Sequence, residues 1–311
     1  MLANLVKRSP RGAFRAIRYV AAGIALVASF YYVAQRFSEG LGAISASGFE
    51  MNYALLTASV TLTFLCIALG GWEWKMLVEG FGGRISLRKA LKVHFLSNPP
   101  KYLPGFGWQL LGKAYLCKGA GLPTNTTALS ISSELGIAIL AAFSLVLLTL
   151  PYAGLPAQDG LLGLLLDFPW QPVAVAYILA VPLALRTVLG GRMAQRIAGT
   201  GLVFSYPRTL FYFVVVLCTW AISGLAFSLL VASLYPTSLF QTTSFVFATT
   251  LAMIVSLLAF FAPVGLGVRE GAITFILSFW LPSPYPAMVA VLSRLVLIAS
   301  ELIGFAIATR L

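Results

Sequence analysis

Apolar residues in this chain come in runs of about twenty, and clusters of Lys and Arg separate many of them. A helix that crosses a bilayer needs about 20 mainly apolar residues. On that measure the pattern predicts spans at about 17–38, 52–74, 128–150, 172–190, 209–233 and 287–309. Two further apolar stretches are interrupted. In the first, 86–117, Leu87, Ala90, Leu91, His94 and Phe95 recur at helical spacing until Asn98-Pro99-Pro100 stops the helix. Gly105 and Gly107 then turn the chain, and a second apolar piece runs from Trp108 to Cys117. In the second, 241–281, Pro263, Gly265 and Gly267 break the backbone where hydropathy puts the middle of a membrane, and Arg269-Glu270 follows at once. Broken backbone and charge at that depth are tolerated only where protein buries them or a wet cavity takes them in. The expected fold is therefore an all-α polytopic membrane protein with about six spans and two re-entrant broken hairpins.

A shift of 160 residues, which lays Gly105-x-Gly107-x-Gln109 on Gly265-x-Gly267-x-Arg269, orders the whole chain. It carries span one onto span four, span two onto span five, the first hairpin onto the second, and span three onto span six. Each half crosses three times, an odd number, so the halves are expected to lie in opposite orientations: one transmembrane domain, 1–311, with pseudo-repeats 1–155 and 165–311. Inverted halves with broken helices in matching places are the layout of many secondary transporters, with the substrate site between the halves.

Charge sets the expected orientation. Lys7, Arg8, Arg11, Arg15 and Arg18 precede the first run, and Lys75, Arg84, Arg88, Lys89 and Lys92 follow the second. Arg186 closes the fourth and Arg192, Arg196 and Arg208 follow it, whereas 151–171 carries Asp159 and Asp167 and no cation. Positive charge accumulates on the cytoplasmic side, so both termini are expected inside a cytoplasmic membrane. The basic N-terminus resembles a signal peptide without a suitably placed small-residue cleavage site, and is read as an uncleaved span. Trp72 and Trp74 read as interfacial anchors of the second span.

Composition agrees: 59% of residues are hydrophobic and 10% charged, against roughly a quarter charged in a soluble chain. The net charge of +12 reads as topology signal and lipid-head-group contact rather than nucleic-acid binding. Cys66, Cys117 and Cys218 lack metal-like spacing and read as reduced. Gly107 to Ala114 nearly spells a P-loop, but Ala114 replaces the magnesium-binding hydroxyl and no strand precedes it. The sequon at Asn125 falls in the expected cytoplasm. No nucleophile–base pair, paired carboxylates or metal-ligand set stands out, so neither an enzyme nor a cofactor is expected.

The candidate chemistry is anion binding. Gly265 and Gly267 let backbone approach a ligand, and the helix opening near Val268 presents N–H groups and a positive dipole end. Arg269 adds a planar fork suited to phosphate oxygens; the plainer alternative is that it pairs with a carboxylate and fixes the fold. Arg294 and Glu301, seven apart, share a helical face. Glu134 matches Arg294 in the other half, which suggests a Glu134–Arg294 contact, and Glu301 is placed to neutralise Arg269 or Arg294. In the first hairpin Lys101, Gln109 and Lys113 supply donors, although both lysines can simply snorkel to the interface. His94 is a lone histidine with a proton-relay role as one option.

These motifs resemble the lysylphosphatidylglycerol synthase transmembrane-region family, whose stand-alone members are called flippase-like. The resemblance rests on Lys101-Tyr102-Leu103-Pro104-Gly105, Gln109, Lys113, Gly119-x-Gly121, Glu134, Pro263-x-Gly265-x-Gly267-Val268-Arg269-Glu270 and Arg294, and covers nearly the whole chain. Lys113 stands where the family often has Arg, and Leu135 where an Arg often follows the Glu; these departures bear on the first hairpin's anion contact and on the head group. The resemblance implies a lipid translocator. In bifunctional members a soluble aminoacyl-transferase domain follows and the membrane domain flips the aminoacylated phospholipid. The expected function is translocation of an anionic phospholipid or lipid-linked head group across a bacterial or archaeal membrane. Its partners would be membrane lipids, anionic or polyprenyl-phosphate, not nucleic acid, with a homodimer as an option. The alternatives are a transferase acting on polyprenyl-phosphate sugars, with Glu270 as its carboxylate, and a scaffold for lipid-synthesis enzymes.

Overall fold

The computed structural model describes residues 31, 35, 51–102, 107–155, 168–189, 205–258 and 267–311. Among them it forms nine numbered α-helices: α1 (Tyr53–Gly80), α2 (Leu87–Ser97), α3 (Trp108–Gly119), α4 (Thr124–Thr149), α5 (Trp170–Leu189), α6 (Tyr206–Leu234), α7 (Thr242–Leu258), α8 (Val268–Leu277) and α9 (Tyr285–Ala308). Local signals set several of the starts. The Asn52 side chain accepts from the N–H groups of Ala54 and Leu55 at the head of α1, and Ser86 accepts from Lys89 at the head of α2. Pro207 sits in the first turn of α6, where a missing N–H costs nothing.

Among the described residues, six helical segments are long and apolar enough to cross a membrane: Tyr53–Gly80, Thr124–Tyr152, Trp170–Val188, Tyr206–Leu234, Leu239–Leu258 and Tyr285–Ala308. Five are spans expected from the hydropathy pattern. The sixth is the first arm of the second interrupted stretch, whose 17 α-helical residues rise about 26 Å. The expected first span lies outside the described residues except for 31 and 35, which are helical. In the first interrupted stretch α2 and α3 lie on either side of the 3-10 turn Pro99–Tyr102; in the second, α7 ends at Leu258 and α8 starts at Val268, and residues 259–266 between them lie outside the described residues.

The 160-residue shift reappears in the packing. Contacts of α1 with α2 are matched by α6 with α7, α2–α3 by α7–α8, and α3–α4 by α8–α9. Likewise α1–α9 is matched by α6–α4, α2–α9 by α7–α4, and α1–α4 by α6–α9, while α1 and α6 pack on each other. Each last span thus leans on the first hairpin arm of the opposite half.

Small residues let these helices approach. A Cβ on Gly224 of α6 would sit 2.7 Å from Val246 Cγ1 of α7, and one on Gly304 of α9 would sit 2.8 Å from the Phe95 ring of α2. Among helices in lipid, such close van der Waals packing supplies much of the association energy. Hydroxyls add direct links: Ser59 of α1 donates to the Ala226 carbonyl of α6 at 2.7 Å, and Ser300 of α9 to the Val60 carbonyl of α1 at 3.2 Å. Trp74 is fully buried and donates through Nε1 to Ser130 at 3.2 Å. It is core rather than the interfacial anchor expected, because α1 continues to Gly80 and carries it inside.

Candidate functional site: a buried charge cluster where both hairpins meet the last span

Two helices start directly after a glycine with positive φ. Gly107 (φ 91°) precedes α3, and Gly267 (φ 80°) precedes α8. The two are 160 residues apart. Among the described residues no atom lies within 4 Å of a Cβ built on Gly107, and its positive φ by itself favours glycine there. Gly265 lies outside the described residues.

Charged side chains converge just beyond these turns. In the first half, Lys113 of α3 is 3% exposed, and its ammonium donates to Glu134 of α4 at 2.7 Å (Oε1) and 2.5 Å (Oε2). The same ammonium lies 4.6 Å from the centroid of the Trp74 ring, a cation–π contact. His94 of α2 has Nδ1 3.9 Å from Glu134 Oε1 and lies within electrostatic reach of both Lys113 and Lys101. In the second half, Glu270 of α8 uses both oxygens: Oε2 accepts from the N-cap Gly267 N–H at 2.8 Å, and Oε1 lies 3.3 Å from Arg294 Nη1 of α9. The two halves thus build the same link between hairpin and last span with the signs exchanged, a cation on α3 and an anion on α8.

Glu301, one face along α9 from Arg294 and 4% exposed, takes a hydrogen bond and ion pair from Lys101 of the first hairpin. This pair crosses between halves. Arg269 and Arg294 both lie within electrostatic reach of Lys101, so the two hairpins come together beside α9. The Arg269 Nε and Nη1 atoms are shut off from solvent.

Several expectations change here. The suggested Glu134–Arg294 contact gives way to Lys113–Glu134 and Glu270–Arg294, because α4 leans on α7 and α9 on α2. Glu301 pairs with Lys101. Neither Lys101 nor Lys113 snorkels: each is turned inward, where a carboxylate compensates its charge. Gln109 donates from Nε2 to Asn98 Oδ1 at 2.9 Å, which bridges the two arms of the first hairpin. The N-terminus of α8 is less open than expected, since Glu270 occupies the Gly267 N–H.

With this geometry in place, comparison with protein families finds one that matches residues 20–303, the lysylphosphatidylglycerol synthase TM region. The chain belongs to this family. No curated protein matches the sequence. Membership in the lysylphosphatidylglycerol synthase TM-region family, together with six long apolar helices, makes this a multi-pass, lipid-related membrane protein.

Within that family member, sequence reasoning missed three polar groups: Asn98, Glu73 and Thr219. Asn98 was read only as part of a helix stop. Glu73, buried in α1, had a usable signal, an acidic residue inside an apolar run, but the flanking tryptophans made the segment look interfacial. Thr219, whose hydroxyl lies 2.5 Å from Glu73 Oε1, had none.

Proposed function

We propose that this protein translocates a lipid with an anionic, phosphate-bearing head group across the membrane, acting as a carrier rather than an enzyme. The observation that carries this reading is the charge balance of the cluster. Lys101, Lys113, Arg269 and Arg294 are four cations, and Glu134, Glu270 and Glu301 are three carboxylates, so the described cluster holds one net positive charge. Inside a membrane protein such charge is costly without compensation, and one lipid phosphate supplies it. Arg269 presents a fork that matches phosphate oxygens. Acyl chains would stay in the bilayer beside the hairpins, and the inverted halves would open the cluster to each leaflet in turn. The basic segments after α1 and before α6 favour a cytoplasm at those ends, which would put both termini inside.

Glu270 is the carboxylate a transferase would need, and its two oxygens are engaged by Gly267 and Arg294. That arrangement favours a structural and charge-setting role. The test is a proteoliposome assay with fluorescent phosphatidylglycerol and a membrane-impermeant quencher. Wild type should move the lipid, and Arg269→Ala should slow it by at least tenfold. Equal rates would remove the role given to Arg269.

A further inference from the structure

One buried carboxyl takes no part in this cluster. Glu73 of α1 is 8% exposed, and no Lys, Arg or His among the described residues pairs with it. Its Oε1 lies 2.5 Å from Thr219 Oγ1 of α6, and that hydroxyl also lies 3.1 Å from the Val215 carbonyl. A threonine hydroxyl has a single proton to donate. If Glu73 is ionised, carboxylate and carbonyl compete for it. If Glu73 carries a proton, it donates to Thr219 Oγ1, Thr219 donates to Val215, and every group is satisfied.

The scaffold does not demand an acid at this place. The 160-residue shift lays Glu73 on Ser233, whose hydroxyl is 1% exposed and simply donates to the Leu230 carbonyl at 2.7 Å. It lays Ser59 on Thr219; Ser59 bonds a backbone carbonyl across the α1–α6 interface, whereas Thr219 turns to Glu73. The acid is thus an addition to one half.

Glu73 lies one helical turn from a cavity and within electrostatic reach of Glu134 in the cluster. One turn further along α1, Met76 and Leu77 line a cavity of about 530 Å³ with Arg208, Phe211 and Tyr212 of α6, opening past exposed Glu79. Tyr212 is 6% exposed and feels the charge of both Glu73 and Glu134. The groups facing Glu73 are Thr219 and Tyr212 from α6, Glu134 from α4, and Cys66 from its own helix. Other charged groups on the elements around α1 have their own partners, His94 of α2 towards Glu134, Lys113 of α3 to Glu134, Arg294 of α9 to Glu270, Glu301 of α9 to Lys101 and Lys75 of α1 to Glu79, while Arg88 and Lys89 of α2 and Arg208 of α6 are exposed and Lys92 of α2 is half-buried.

We propose that Glu73 is a proton-binding site, taking its proton from the α1–α6 cavity, and that its protonation couples lipid movement to a proton gradient. The proton site stands on the geometry of Glu73; the coupling rests on the translocator reading above.

Infrared difference spectra of the full chain, reconstituted in phosphatidylglycerol–phosphatidylcholine vesicles and titrated with pH, test the site. A protonated-carboxyl band present in wild type and lost in Glu73→Gln is expected, and carboxyl bands identical in the two proteins would overturn the proposal. Should the Gln variant fail to fold, Glu73→Asp must shift the band, and an unshifted band overturns it equally. The same vesicles, given a pH gradient, test the coupling. Wild type should alter its phosphatidylglycerol accumulation by up to about tenfold per pH unit for a one-to-one coupling, and Glu73→Gln should be indifferent to the gradient. A gradient response retained in Glu73→Gln, or lacking in an active wild type, sinks the coupling. If wild type moves no lipid while the band depends on Glu73, the translocator reading fails and the proton site survives.

Discussion

Removing the Lys113 ammonium leaves the Glu134 carboxylate stranded inside the bundle. Lys113 is 3% exposed, and its ammonium touches both carboxylate oxygens at 2.5–2.7 Å. Breaking a buried ion pair from one side costs about 3–5 kcal/mol, because the remaining charge stays desolvated. Glu134 keeps 26% of its side chain exposed, which lets water relieve part of that cost. Lys113→Met should therefore destabilise by about 3 kcal/mol, the low end of the range. Glu134→Gln should cost at least as much, since Lys113 is the more deeply buried partner. Removing both charges together leaves no orphan. The double variant should fall short of wild type by only about 1 kcal/mol, roughly the lost cation–π contact with Trp74. Reversible unfolding in mixed detergent micelles, run as a double-mutant cycle, reads this as a coupling energy of about 5 kcal/mol. Single effects that simply add to within about 0.5 kcal/mol would show that the pair is not buried as described.

Other consequences are checked the same way. Gly107→Ala should lower stability by about 1–2 kcal/mol from backbone conformation alone, with Gly107→Asn milder, in thermal melts of purified protein; an unchanged melting point would refute the left-handed turn. Gly224→Ala drives a methyl to 2.7 Å from Val246 Cγ1 and should cost about 1–3 kcal/mol. Val246→Ala should recover part of that loss, and failure to do so would place the strain elsewhere. Glu270→Gln keeps an amide oxygen for the Gly267 N–H and deletes the charge facing Arg294, raising the cluster from one net positive charge to two. Retention of phosphatidylglycerol in native mass spectra should rise by roughly tenfold, about 1.4 kcal/mol, and reduced retention would argue against an anion site.

Patterns local in the chain were legible before the fold. Five long apolar runs became helices near the expected bounds, since a run of about twenty apolar residues has few other stable outcomes in lipid. The two glycine turns were legible too, because Gly107 and Gly267 punctuate otherwise helical stretches. Pairing was not. Lys113 and Glu134 are 21 residues apart and Lys101 and Glu301 are 200 apart, and no periodicity connects them. The pseudo-symmetric guess of Glu134 with Arg294 went astray because matched positions need not touch; the helices that carry them pack on the opposite half's hairpin.

The sequence by itself determined that this is a membrane protein, where its helices break, and which charges lie among apolar residues, because hydropathy and backbone conformation are properties of short segments. Only the tertiary structure decided which charge compensates which, that Trp74 and Glu73 are interior, and that Lys101 reaches across to α9. Those outcomes depend on how helices distant in sequence pack, and desolvation makes each buried charge accept the partner that packing brings within reach.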